Sequence, residues 1–307
     1  MGYRIGFDIG STTIKAVVLD ENNQICYKSY ERHKAQVRQK ALDKLVELKK
    51  YTKEPFKFAI SGSGALGLCE QGELPFVQEV FASATGVSKL YSETDCAIEL
   101  GGEDAKILFF QGSVEQRMNS TCAGGTGAFI DQMSTLLNMS LEEMNEASLN
   151  YHRLYPIASR CGVFAKTDIQ PLINQGVDKC DLCASIFQAV VDQTITSLAQ
   201  GRKIEGNILF LGGPLYFMSG LRKRFVETLK LSDVQVNCPE TAINFVALGT
   251  AICADQEYTY DELYKALEDL VHAPAKLTES KPLFESEEER NRAEEHLKAQ
   301  GIPSMIY

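Results

Sequence analysis

Two short apolar runs open the chain, residues 4–8 and 14–20, joined by a polar Gly-Ser-Thr-Thr stretch. Runs this short, so closely linked, predict a β-hairpin. After the Asn22-Asn23 turn, residues 25–30 read as a third strand. Over 37–50, Ala41, Leu42, Leu45, Val46 and Leu48 recur with the helical period. Residues 56–60 predict a short buried strand. The scheme then repeats: 96–100, a Gly-Gly-Glu-Asp turn and 105–110 form a second strand–turn–strand unit. Helices are expected over 127–137, 140–147, 164–174 and 182–200. A strand over 207–211 ends in Gly212-Gly213, followed by a helix over 219–229, a strand over 234–237 and a helix over 242–254.

A strand–glycine turn–strand unit near the start of each half, with helices between, predicts two similar α/β domains. The expected division is 1–92 with 242–256, then 93–241. Residues 257–307 are expected as a helical tail or linker, with helices over 261–271 and 285–298, the second strongly acidic.

Both turns carry phosphate chemistry. The first reads Asp8-Ile9-Gly10-Ser11-Thr12-Thr13-Ile14-Lys15 and the second Glu99-Leu100-Gly101-Gly102-Glu103-Asp104. Glycine lets a backbone approach an anion closely, and the turn's N–H groups point at it. Asp8 and Asp104 suit a hydrated Mg²⁺, and Lys15 could reach a phosphate. A third glycine stretch, Gly62 to Gly67, matches G-x-G-x-x-G but has no acidic residue at a strand end some way on, so it is read as an ordinary turn after a strand.

Composition narrows the field. The 307 residues are 44% hydrophobic and 23% charged, ordinary for a globular protein. A net charge of −10 argues against nucleic acid or an anionic membrane as partner. No apolar run reaches the roughly 18 residues of a membrane helix, and the N-terminus lacks a secretory pattern, so a cytoplasmic protein is expected. Nine cysteines without an export signal do not suggest a disulfide framework. Cys180-x-x-Cys183 lacks a second pair and is read as structural, and His33, His152, His272 and His296, without ligand spacing, as structural or exposed.

Two cysteines stand apart. Cys122 lies in Cys-Ala-Gly-Gly-Thr-Gly and Cys161 in Ser-Arg-Cys-Gly-Val-Phe, each just before a predicted helix. A helix N-terminus lowers a thiol's pKa and offers N–H groups to cluster sulfurs. Two thiolates cannot complete a four-thiolate site, whereas two copies on a two-fold axis can. Spacing alone leaves a structural role for both open.

The two hairpins with Leu209-Phe210-Leu211-Gly212-Gly213-Pro214 resemble the nucleotide-binding pattern of the actin, heat-shock chaperone and acetate and sugar kinase superfamily. With Cys122 and Cys161, 39 residues apart, the chain over 3–254 resembles the activator ATPases of 2-hydroxyacyl-CoA dehydratases and the benzoyl-CoA reductase ATPase subunits. The resemblance implies an actin-like two-domain fold. It also implies a homodimer with one 4Fe–4S cluster between Cys122 and Cys161 of both subunits, ATP or ADP with Mg²⁺, ferredoxin or flavodoxin as donor and an iron–sulfur dehydratase or reductase as acceptor. The implied nucleotide site comprises Gly10, Ser11, Thr12, Thr13, Lys15, Gly101, Gly102, Gly125, Thr126, Gly127, Gly212 and Gly213, with Asp8 and Asp104 catalytic. Departures occur at Glu99, Glu103, Gly124, Gly162 and Lys166. Arg32-His33, Gly213-Pro214-Leu215 and 282–288 are closer to activator modules of large fused proteins, which implies one module of a larger chain. A small-molecule kinase of the superfamily and a non-enzymatic nucleotide switch are the alternatives.

Overall fold

Two five-stranded sheets carry the architecture of this computed structural model, which describes residues 2–119, 124–158, 161–274, 284 and 286–299. The first holds β1 (Arg4–Ile9), β2 (Thr13–Leu19), β3 (Ile25–Arg32), β4 (Phe56–Ser61) and β10 (Glu257–Tyr258), in the order β10-β4-β1-β2-β3. The second holds β5 (Cys96–Leu100), β6 (Ala105–Phe109), β7 (Glu115–Met118), β8 (Ile208–Leu211) and β9 (Val236–Asn237), in the order β7-β6-β5-β8-β9. Each begins as an antiparallel three-stranded meander and gains a parallel strand beside the first, β4 on β1 and β8 on β5. The symmetry ends at the last strand, since β10 runs antiparallel to β4 and β9 parallel to β8.

Residues 1–271 and 272–307 pack as separate units. In the first unit, strand alternation sorts side chains into three layers. Ile5, Phe7, Ile9, Ile14, Ala16 and Val18 face an outer core with α1 (Val37–Glu47), α2 (Leu66–Gly72) and α11 (Tyr260–His272). Ile98, Leu100, Ile107 and Phe109 face a second outer core with α4 (Gly127–Leu137), α6 (Gly162–Asn174), α7 (Lys179–Thr194) and α9 (Ser219–Leu229). The inner faces, with Val17, Leu19, Ala97 and Leu108, meet between the sheets on α3 (Glu79–Leu90) and α10 (Phe245–Cys253). The short α5 (Leu141–Ser148) and α8 (Gly213–Phe217) complete this unit. A five-residue π-turn, Ile195–Ala199, extends α7; the stretch Lys179–Ala199 is long and apolar enough to cross a membrane, but most of its apolar part is buried as a core helix.

The tail expected from residue 257 begins later. β10 pairs with β4, and α11 buries Leu263, Leu267 and Leu270, spaced as an amphipathic stripe, in the first outer core. The second unit contains α12 (Glu287–Ala299), entered through Ser286, whose hydroxyl accepts from the Glu289 N–H at 3.2 Å. Three glutamates in its first turn suit the helix dipole.

Candidate nucleotide site

Alternation also selects what faces the cleft. In β1 the outer core takes Ile5, Phe7 and Ile9, so Asp8 points inward; in β2 the same logic turns Lys15 inward. Asp8 and Lys15 are register partners, and Lys15 Nζ donates to Asp8 Oδ2 at 2.7 Å. In the second sheet Glu99 and Lys106 are register partners too, with Nζ 3.6 Å from Glu99 Oε1. Each hairpin therefore presents an acid–lysine pair, seven residues apart in both: Asp8/Lys15 and Glu99/Lys106.

The two turns face each other. A Cβ built on Gly102 would lie 3.3 Å from Thr12 Oγ1 and 3.7 Å from Ser11 Oγ. Two adjoining cavities, about 500 and 740 Å³, meet at this point. Asp8, Thr12, Thr13, Lys15, Gly101 and Gly102 line both. Gly10, Ser11 and Asp104 line the larger, while Gly127, Gly212 and Gly213 line the smaller. At the smaller cavity's Gly212-Gly213 end, Tyr30 and Phe217 stand edge to face with ring centroids 6.1 Å apart.

Gly212 has φ +86°, and a Cβ there would sit 2.0 Å from the Leu100 carbonyl oxygen. Gly62 repeats this after β4, with φ +101° and a Cβ 2.2 Å from the Ile9 carbonyl oxygen. Both positions exclude any side chain. The Gly62 stretch, read above as an ordinary turn, is thus the first sheet's counterpart of Gly212-Gly213, and Gly62 and Ser63 line the larger cavity.

Gly125 and Thr126 sit behind these walls. Gly125 has φ +82° and packs on Gln193 and Thr194 of α7, and Thr126 is fully buried. Gly127 and Ala128, opening α4, donate backbone N–H groups to the carbonyls of Gly101 (3.0 Å) and Gly102 (2.8 Å). The α4 N-terminus is thereby tied to the second turn. Cys161 caps α6, partly exposed, and is followed by Val163 and Phe164, 68% and 65% exposed. A Cβ on Gly162 would lie 2.7 Å from Gln132 Oε1 of α4. Cys122 lies outside the described residues.

A cluster of ion pairs lines the larger cavity. Lys106, 2% exposed, reaches Glu79 and Asp104 at 2.6 Å each in addition to Glu99. Burial disfavours its charge, but Glu99, Asp104 and Glu79 more than offset this and hold its pKa well above the ordinary lysine value. Burial pushes the Glu99 carboxyl up against the pull of Lys106, and Asp104, Glu79 and Asp8 add to the rise. Lys15 is also raised: burial acts against its charge and Asp8 outweighs it. Glu99, Lys106 and Glu79 were not among the expected site residues. For Glu99 and Lys106 the signal was present, since D-x₆-K in the first turn recurs as E-x₆-K in the second, whereas Glu79 on α3 is outside that pattern.

The donors facing the cavities are carboxylates and hydroxyls, the hard oxygen set that suits Mg²⁺. Asp8 and Asp104 each already hold a lysine ammonium, and among the described residues no three His, Cys, Asp or Glu side chains converge on a metal-sized site. That fits an ion bound through water and phosphate oxygens rather than in a carboxylate cage. The sulfur of Cys161 is a soft donor of the kind an iron–sulfur cluster takes, and would be one of the four such a cluster needs.

Two meander sheets with facing glycine turns and a nucleotide-sized cleft define an actin-like ATPase fold. The 2-hydroxyglutaryl-CoA dehydratase component A of Acidaminococcus fermentans has this fold (TM-score 0.73, 24% identity, 87% of this chain and 100% of that one). So does the activator of 2-hydroxyisocaproyl-CoA dehydratase from Clostridium difficile with bound ADPNP (TM-score 0.72, 24% identity, 90% and 100%). In sequence, the chain is 28% identical over 258 residues to the activator of lactoyl-CoA dehydratase from Anaerotignum propionicum, covering 82% of this chain and 97% of that one. Residues 5–254 match the BadF/BadG/BcrA/BcrD ATPase family, and the chain belongs to it.

Proposed function

We propose that this chain is an ATP-driven activator that hands a low-potential electron to an iron–sulfur partner of the 2-hydroxyacyl-CoA dehydratase or reductase kind. The reading takes the working form to be a homodimer joined by one 4Fe–4S cluster on Cys122 and Cys161 of both subunits. The observation that carries it is the bonding of the α4 N-terminus to the second glycine turn, through Gly127 to Gly101 and Ala128 to Gly102. On this reading a change at the phosphates would pass directly to the helix that follows Cys122 in the sequence. Relatives named as activators of lactoyl-CoA and 2-hydroxyisocaproyl-CoA dehydratases support the reading.

On this reading the triphosphate lies between the turns, held by N–H groups of 11–13 and 102 and by Lys15, with the nucleoside toward Gly212-Gly213. Asp8 and Asp104 would hold Mg²⁺, and that ion would neutralise charge on the phosphates. Glu99, buried against Lys106 and Ser83, orients the attacking water. Hydrolysis loosens the turns, and residues 1–92 with 242–256 shift against 93–241, drawing α4 with them. The cluster, when bound, supplies a one-electron couple whose potential follows its surroundings. Exposed Val163 and Phe164 beside Cys161 give a second subunit an apolar contact. Ferredoxin or flavodoxin fits as donor.

The test is anaerobic purification of the wild type and of Cys122→Ala and Cys161→Ala, with iron, sulfide and mass analysis. A brown dimer with about four irons per two chains, lost in either variant, supports the proposal. Colourless wild type that cannot be reconstituted overturns it and leaves a nucleotide site open to kinase chemistry.

A further inference from the structure

We propose that His33 is a positioning residue that holds the first glycine turn in its anion-binding shape; this rests on the nucleotide reading above. His33 is the first residue past β3, and only 4% of it is exposed. Its ring Nε2 lies 2.9 Å from the Gly10 carbonyl oxygen, and its Nδ1 accepts the Ala35 N–H at 3.2 Å. Because Nδ1 is an acceptor, the ring proton sits on Nε2 and is donated to Gly10. The backbone N–H of His33 donates to the Thr12 carbonyl at 3.2 Å. One residue therefore holds the two carbonyls that flank Ser11.

Holding those carbonyls orients the opposite side of each peptide. A trans peptide keeps C=O and N–H antiparallel. With the Gly10 and Thr12 carbonyls turned toward His33, the N–H groups of Ser11 and Thr13 are turned away from it. Those are the donors a phosphate would use, and Ser11, Thr12 and Thr13 line the larger cavity.

The chain is bent sharply to achieve this. Lys34 and Ala35 both adopt left-handed backbone, φ +49° and +61°, a costly pair for residues with a Cβ. The bend turns the Ala35 N–H back onto the His33 ring. The second sheet has a counterpart. Asn119, the first residue past β7, accepts the Ala105 N–H on its side chain at 2.6 Å and donates its own N–H to the Ala105 carbonyl at 3.1 Å. The residue that follows the third strand thus ties the first hairpin within its turn and the second at the first residue of β6, with side chains of different chemistry.

The test separates the two ring nitrogens. Gln at 33 places an N–H donor near the Nε2 position but no acceptor for Ala35. Asn places an acceptor near Nδ1 but no donor for Gly10. Calorimetry of the full chain with Mg·ATP and Mg·ADP, with melting curves alongside, is expected to show about tenfold weaker binding for His33→Asn, the equivalent of about 1.4 kcal/mol. His33→Gln is expected within about twofold of wild type, with the two variants melting alike. Hydrogen exchange of the nucleotide-free chain is expected to quicken in His33→Asn only, at Gly10 and at residue 33, whose N–H groups bond the Thr13 and Thr12 carbonyls. Equal binding and equal exchange in both variants and wild type would overturn the positioning role, as would a Gln variant as weak as Asn. Wild type that binds no nucleotide, with faster exchange still confined to the Asn variant, would sink the nucleotide reading and leave the role of His33 standing.

Discussion

Lys106→Met removes the one ammonium that three carboxylates share and leaves the hydrocarbon stem in place. The Lys106 side chain is 3% exposed and reaches Glu79 and Asp104 at 2.6 Å and Glu99 at 3.6 Å. Their exposures decide the magnitude. Asp104, 36% exposed, is screened by water and contributes little, Glu79 at 20% contributes more, and Glu99 at 9% is left as a buried unpaired charge. Breaking a buried ion pair costs about 3–5 kcal/mol, and the partial exposure here selects the lower end, about 3 kcal/mol. For a chain of this size that lowers the melting temperature by about 6–9 °C. The pH dependence has a definite sign. The folded-state pKa of Glu99 lies above its ordinary value, so its contribution is complete below the ordinary carboxylate pKa and is lost as pH rises through the folded value. Without Lys106 the Glu99 pKa rises further. The deficit is therefore smallest near pH 5 and grows toward pH 8, where wild-type Lys106 remains charged. Melting of nucleotide-free protein at both pH values measures this, and Glu99→Gln in the Lys106→Met background should recover about half of the loss. A melting temperature within about 2 °C of wild type at pH 8, or a deficit that grows toward acid, would refute the reasoning.

Other predictions are simpler. Gly249→Val drives a Cβ that would lie 2.0 Å from the Ala82 carbonyl oxygen between α10 and α3, and should cost at least about 3 kcal/mol in a denaturant titration; a smaller loss would mean the helices can separate freely. Asp8→Asn should slow ATP hydrolysis on the order of a hundredfold while nucleotide still binds, as read by phosphate release and calorimetry. The Cys183 thiol is pushed up to about 12 by burial, so at pH 8 about one in ten thousand is thiolate. Iodoacetamide should therefore leave Cys183 unlabelled in the native chain while exposed Cys26 reacts, and equal labelling by mass spectrometry would contradict the packing of α7.

Much of the fold is legible in local pattern. Gly127–Leu137 and Ser219–Leu229 run over the stretches whose periodicity predicts them, because each has one apolar and one polar face. Glu79–Leu90 carries no such mark: it packs against α10 between the sheets, and its Gly86, Thr85 and small residues weaken helix propensity. Glu115–Met118 is a short edge strand with alternating exposure and little apolar signal. Leu263, Leu267 and Leu270 have the right spacing for a core helix, but nothing local says whose core they join.

The candidate site divides in the same way. The glycine turns and the recurring acid–lysine spacing are properties of the chain read along its length, since strand alternation alone turns Asp8, Lys15, Glu99 and Lys106 to one side. The meeting of Gly102 with Ser11 and Thr12, the four-group cluster around Lys106 and the fold-back of His33 onto Gly10 belong to the tertiary structure. Each joins segments whose local sequences do not refer to one another, and their approach is set by burial of the inner sheet faces against α3 and α10. Hydrophobic burial depends on area and carries no direction of its own, so it is the packing of all three layers together that decides which polar groups meet in the cleft.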